Sequence, residues 1–193
     1  MRRHHTLLAC LLLAVAPAGA VHASQDTPKS AEGAGNLAGL HDFDFLVGDW
    51  KVRHRKLKAR LVGSRDWTEF DGTLSMRKLM DGRANVGDNL FNTPDGPYRG
   101  IGFRAYDPKT GQWASWWLDG RNPFGALDPA IKGGFKDGIG TFEAVDTLQG
   151  KPIRMRVTWS RITAETARWE QAFSADGGKT WEVNWVSDFQ RVR

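Results

Sequence analysis

Cysteine is almost missing from the 193 residues: Cys10 is the only one. It lies inside the apolar run at residues 7–16, which follows Met1-Arg2-Arg3 and precedes Val21-His22-Ala23. Positive charge, an apolar run too short to span a bilayer and a small-x-small triplet form an export signal, with cleavage expected after Ala23 and Ala20 as a second position. The processed chain is then expected to hold no cysteine and no disulfide, although it is expected in the periplasm or outside the cell. No other run is long and apolar enough for a membrane span. Charge of one sign is also lacking. Without Arg2 and Arg3, 25 basic residues face 22 acidic ones, a net charge near +3, with no concentrated basic face for nucleic acid. Histidine is scarce: only His41 and His54 lie beyond residue 23. Two histidines and no cysteine make a thin ligand set, so no metal and no cofactor are expected, haem being left open through His54 alone.

What is present is alternation. Residues 24–39 are rich in Ala, Gly, Ser, Pro and Lys, and are expected to form a flexible linker. From residue 40 onward, period-two segments alternate with turn signals, and no stretch sustains a helical period. Ten strands are predicted, at 49–58, 66–80, 83–92, 98–106, 112–119, 130–136, 139–147, 152–162, 165–174 and 180–192. Asp81-Gly82 predicts a tight hairpin, Pro94-Asp95-Gly96-Pro97 a wider one, and Asp107-Pro108-Lys109-Thr110-Gly111 a longer reversal. Strands joined by short turns are antiparallel neighbours. The expected fold is therefore all-β: a ten-stranded antiparallel up-and-down β-barrel over residues 40–193, preceded by a short helical turn.

The last three strands alternate most clearly. Ile153, Met155, Val157 and Trp159 share one face; Ala167, Trp169, Gln171 and Phe173 share the next; Trp181, Val183, Trp185 and Phe189 share the third. Their opposite faces are polar, as in a sheet with its oily side turned inward. Trp116 and Trp117 are adjacent and must point to opposite faces.

Local motifs add detail. Phe43-Asp44-Phe45-Leu46-Val47-Gly48-Asp49-Trp50 is an apolar turn running through Gly48 into a strand, with the Trp50 ring placed to plug one barrel end. Ser174-Ala175-Asp176-Gly177-Gly178-Lys179-Thr180-Trp181 matches the Asp-box of sialidases once, in a chain too short for a propeller. Its expected role is a structural hairpin, with Asp176 accepting turn amides, Gly178 at a positive φ and Trp181 packed beneath. A C-terminal arginine, Arg191 or Arg193, is expected to fold over Trp50 in a cation–π contact. Nine tryptophans either fill such a barrel or line a pocket within it. His54, Trp113, Trp117, Trp159, Trp169, Gln171 and Trp185 are the candidate ligand-binding residues.

With those residues in hand, the chain resembles the calycins, the superfamily of lipocalins, fatty-acid-binding proteins and nitrobindins. The resemblance rests on Gly48-Asp49-Trp50, the meandering strands and the late basic residue. More closely, it is similar to a group of exported bacterial proteins with Phe-Asp-Phe-x-x-Gly-x-Trp, a mid-chain Tyr-Asp-Pro-x-Thr-Gly-x-Trp at residues 106–113, and Asp-Gly-Gly-Lys-Thr-Trp-Glu at residues 176–182. The resemblance implies a barrel enclosing a small hydrophobic molecule. It does not carry the helical lid of fatty-acid-binding proteins, because too few residues separate the first two strands. Nor does it carry the nitrobindin haem ligand, because no histidine follows His54.

The expected function is binding of a small hydrophobic or aromatic ligand inside the barrel by an exported lipocalin-like protein. An alternative is an enzyme with an acid/base site at the barrel mouth, built from Asp119, Arg121 or Glu143. A third is a cell-envelope interaction module using outward aromatics such as Trp116. Oligomeric state is not legible.

Overall fold

The computed structural model describes residues 36–193. The expected signal peptide at 1–23 and most of the expected linker lie outside the described residues. The last four residues of that linker are not loose: the Asn36 amide donates to Pro108 O at 2.9 Å, and the Tyr106 hydroxyl donates to Asn36 O at 2.8 Å.

A 3-10 turn, Asp44–Leu46, leads into ten strands: β1 (Gly48–Leu57), β2 (Trp67–Leu79), β3 (Ala84–Thr93), β4 (Gly96–Asp107), β5 (Gln112–Asp119), β6 (Ile131–Lys136), β7 (Ile139–Leu148), β8 (Lys151–Ser160), β9 (Thr166–Ser174) and β10 (Glu182–Arg191). Every strand pairs antiparallel with its sequence neighbours, and β10 returns to β1, closing the barrel. Closure removes the free edges that an open sheet would expose to aggregation. A second short 3-10 turn, Met80–Gly82, sits at the predicted Asp81-Gly82 hairpin. The Pro94-Asp95 turn is tighter than predicted, since Thr93 already faces Gly96 across the ladder.

One end is closed by residues that precede the barrel. Trp50 is fully buried, and its indole Nε1 donates to Leu46 O at 2.9 Å, so the ring lies under the 3-10 turn. Phe43 packs beside it at the centre of an aromatic cluster, 5.2 Å from Trp113, 5.1 Å from Phe135 and 5.7 Å from Phe142 between ring centroids. The edge-to-face pairs with Trp113 and Phe135 each add about 0.5–1.5 kcal/mol to the burial itself. Gly48 has φ +113, and a Cβ there would stand 2.9 Å from the Arg191 guanidinium; both facts require glycine at the entry to β1.

The wall has one thin place. β5 and β6 pair only through Trp113–Ser115 against Ile131–Gly133, so the rest of β5, up to Asp119, has no ladder partner on that side. Residues 120–130 bridge the interval.

The alternation expected for β10 fails at its start. The register shifts between Val183 and Trp185, a bulge that turns Val183 outward and buries Asn184 completely. Trp181 is likewise not on the inner face. Its Nε1 donates to Gly178 O within the turn, and the Arg156 guanidinium covers its ring at 3.9 Å.

Candidate ligand-binding site

Above the closed end the barrel encloses a cavity of about 380 Å³. That is within the range of about 300–1,000 Å³ typical of small-molecule sites. Parity along the strands places its lining. Trp50, Val52, His54 and Lys56 alternate inward on β1; Gly87, Asn89 and Phe91 do so on β3, and Gly102 and Arg104 on β4. Trp159 on β8, Trp169 and Gln171 on β9, and Trp185 and Ser187 on β10 form the opposite wall. The cavity reaches the surface beside Asp128 and Pro129, where the β5–β6 ladder thins.

Six of the seven candidate ligand-binding residues line this space: His54, Trp117, Trp159, Trp169, Gln171 and Trp185. Trp113 is a correction. It is 1% exposed, donates from Nε1 to Gly39 O at 2.9 Å, and packs against Phe43 and Tyr106 in the closed end. Position explains the miss: Trp113 starts β5 at the plug, two inward steps below Trp117. Trp117 faces the inner side near the mouth, 5.8 Å from Phe91 between centroids, and Trp116 stacks on Phe103 on the outer face at 5.3 Å.

The aromatic wall is continuous. His54 stacks on Phe70 at 4.8 Å, and Trp185 meets Phe91 at 5.8 Å and Trp169 at 5.7 Å. Polar groups are set into it. His54 Nδ1 shares a hydrogen bond with Ser187 Oγ at 2.8 Å, and Gln171 Nε2 donates to Asn184 Oδ1 at 2.9 Å. Burial, helped by the nearby Lys56 charge, pushes the His54 imidazole down to about 4, so it is neutral at physiological pH. Trp185 Nε1 is buried and has no hydrogen-bond partner among the described residues.

Three basic lining residues were not anticipated. Lys56 continues the parity of Trp50, Val52 and His54, and its Nζ lies 4.2 Å from the centre of the Trp185 ring. Burial, with repulsion from Arg60 and Arg121, lowers its ammonium to about 8. Arg60 lies at the same end, its own guanidinium shifted down by burial. Arg104 sits on the cavity floor, its guanidinium 4.8 Å from the Phe43 ring centre and 5.8 Å from that of Trp159. Lys56 was readable from parity. Arg104 was not, because its strand alternates in the inverted sense, with Ile101 and Phe103 outside and Gly100 and Gly102 inside.

The residues offered for the alternative acid/base reading do not gather. Glu143 lies on the outer wall, where its carboxylate is held by Arg154 and by Arg156 Nε at 2.8 Å. Asp119 accepts from Arg121 Nε and from the Arg121 amide, each at 2.9 Å, which holds its carboxyl below the usual range. That pair is at the cavity rim: Arg121 covers Tyr98 at 4.0 Å.

The comparisons agree with the architecture. The solved S-type phycobiliprotein lyase from Guillardia theta superposes with a TM-score of 0.52 at 9% identity, over 78% of this chain and 90% of that one. A de novo designed fluorescence-activating β-barrel gives 0.42 at 15% identity, over 77% of this chain and 95% of the design. The protein EF1p2_mFAP2b bound to DFHBI gives 0.41 at 12% identity, over 80% of this chain and 99% of that one. At 9% identity the likeness to the lyase is one of fold alone, and that fold is the closed ten-stranded antiparallel barrel described above. The sequence is similar over residues 41–126 to the family described as "Protein of unknown function (DUF1579)". No curated protein matches the chain.

Proposed function

We propose that the protein binds a small hydrophobic or aromatic molecule inside the barrel. The observation that carries this reading is the cavity of about 380 Å³, walled by Phe91, Trp117, Trp159, Trp169 and Trp185. A well-packed barrel of this size would leave no such space, since protein interiors fill voids larger than a water molecule. Affinity comes from moving ligand surface out of water, at about 25 cal/mol per Å². His54, Gln171 and Asn89 supply the few polar contacts that orient the ligand. Export through the N-terminal segment, with processing after Ala23, belongs to the same proposal and places the binding activity in the periplasm or outside the cell.

Titration of the purified protein with lipids, flavonoid-like aromatics and haem, followed by intrinsic tryptophan fluorescence, tests the reading. Saturable quenching by at least one class is expected. A flat response to all three contradicts it.

A further inference from the structure

Resting on the reading above, we infer that the ligand is an anion: a hydrophobic body carrying a carboxylate-type oxyanion, which it places on the barrel floor against Arg104. The unmatched guanidinium of Arg104, enclosed by the barrel and bordering the empty space, carries this inference.

Among the described residues that guanidinium makes one hydrogen bond, from NH1 to Asn85 Oδ1 at 3.1 Å. Its remaining N–H donors have no acceptor, and no carboxylate lies within ion-pair distance, among those same residues. Surface is left on the residue because it borders the cavity; protein closes around it on every other side, and burial pulls its charge down to about 10, so it is still a cation at neutral pH. The Phe43 and Trp159 faces offset part of the charge, but an aromatic face satisfies no N–H fork. A buried, uncompensated charge is costly to keep, and cavities that retain one do so for a counterpart that arrives later.

The polar groups are also lopsided in kind. Arg104 and Trp185 Nε1 are both donors without acceptors in or beside the same space. A ligand bringing acceptor oxygens corrects the Arg104 deficit and one bringing donors does not, whereas the Trp185 indole N–H has no surface open to the cavity.

The cations at the mouth do not carry the same argument. Lys56 and Arg60 share that end with Asp128 and Asp146, and Arg121 is already paired with Asp119. There carboxylates match the cations in number, although neither Lys56 nor Arg60 forms an ion pair among the described residues. On the floor Arg104 has no carboxylate near it among those residues, so the oxyanion goes in first and the apolar body lies along the aromatic wall above it. A guanidinium fork receives two oxygens of one carboxylate, sulfonate or phosphate group, which makes these one chemical class here.

A matched pair of probes tests this: 8-anilinonaphthalene-1-sulfonate, and N-phenyl-1-naphthylamine, which has the same rings without the anion. The wild type is expected to bind the sulfonate about tenfold tighter or more, and decanoate is expected to displace it where decanol does not. Arg104→Met, which keeps apolar volume, is expected to erase the preference by weakening the sulfonate about tenfold while the neutral probe stays within about threefold. Arg104→Lys keeps a charge without the fork and is expected to fall between the two, so a Met variant that does not fold leaves the test intact. Equal binding of both probes by the wild type overturns the inference and leaves the ligand-binding reading standing, as does equal weakening of both in the variants. Failure of both probes to bind the wild type overturns the two together.

Discussion

The guanidinium of Arg191, on the last strand, lies 4.2 Å from the centre of the Trp50 ring on the first. The same side chain donates to Val47 O at 2.7 Å, to Phe45 O at 2.6 Å and to Ala164 O at 2.6 Å. One residue therefore joins both ends of the barrel sequence to the turn that closes it. The ladder between β1 and β10 holds the strands together, and Arg191 holds the plug onto them. Replacing it with Met is expected to lower stability by about 2 kcal/mol, from the lost cation–π contact and carbonyl bonds. Arg191→Lys is expected to recover less than half, because an ammonium cannot reach three carbonyls while covering a ring. Urea unfolding of the variants measures this, and a loss under about 0.5 kcal/mol for Met contradicts it.

His54 makes stability depend on acid. Its folded value is pushed down to about 4, against 6.5 in the unfolded chain. Above 6.5 neither state is charged, and this residue contributes no pH dependence. As pH falls from 6.5 to 4 the unfolded chain takes up a proton that the folded one refuses, so stability drops, by about 3 kcal/mol at most. His54→Gln is expected to remove that part of the decline. Parallel urea titrations at pH 7, 5.5 and 4 check it; identical slopes for wild type and variant count against a buried neutral imidazole.

The β9–β10 turn is built around one carboxylate. Asp176 accepts from the Lys179 and Thr180 amides, each at 2.9 Å, and from the hydroxyls of Ser174 and Thr180. These bonds hold its carboxyl well below the usual range. Their contribution is complete above the ordinary carboxylate value near 3.9 and disappears as the pH falls below it. Asp176→Ala is expected to lower the melting temperature at pH 7, and the gap from wild type is expected to narrow steadily as the pH falls from 4 to 2. A gap that persists unchanged over that range argues against this origin.

Gly102 offers a way to fill the cavity without distorting the wall. A Cβ at this inward position meets nothing closer than 3.8 Å, whereas one at Gly72 would stand 2.3 Å from Leu90 O. Gly102→Leu is therefore expected to fold, to melt at or above the wild-type temperature, and to lose ligand affinity by about tenfold or more as its side chain occupies the space. Gly72→Ala is expected to destabilise instead. Unimpaired binding by a folded Gly102→Leu protein puts the ligand somewhere other than the interior.

The fold was legible because period-two alternation is a local property, and turn residues such as Asp107-Pro108 and Gly177-Gly178 punctuate it. All ten strands lie within two residues of their expected limits. Three features were hidden, each for a physical reason. The bulge after Val183 inserts a residue that no hydrophobicity pattern marks, so Asn184 read as outward. Trp113 and Trp117 share a parity, and parity gives the face but not the height, so plug and cavity could not be told apart. Arg104 stands on a strand whose outer face is more apolar than its inner one, because Phe103 stacks under Trp116 outside while glycines make room within. A charged residue in an aromatic barrel is the kind of position where pattern reading fails and function begins.

The central claim, a ligand held in the barrel interior, is tested most directly by following the tryptophan side-chain amides in a ¹⁵N–¹H spectrum during titration with a bound hydrophobic probe. The account predicts that the Nε1–H signals of Trp117, Trp159, Trp169 and Trp185 move, because their rings line the cavity, while Trp50, Trp113 and Trp181 stay fixed. Movement confined to Trp67 and Trp181, on the outside of the wall, would contradict it.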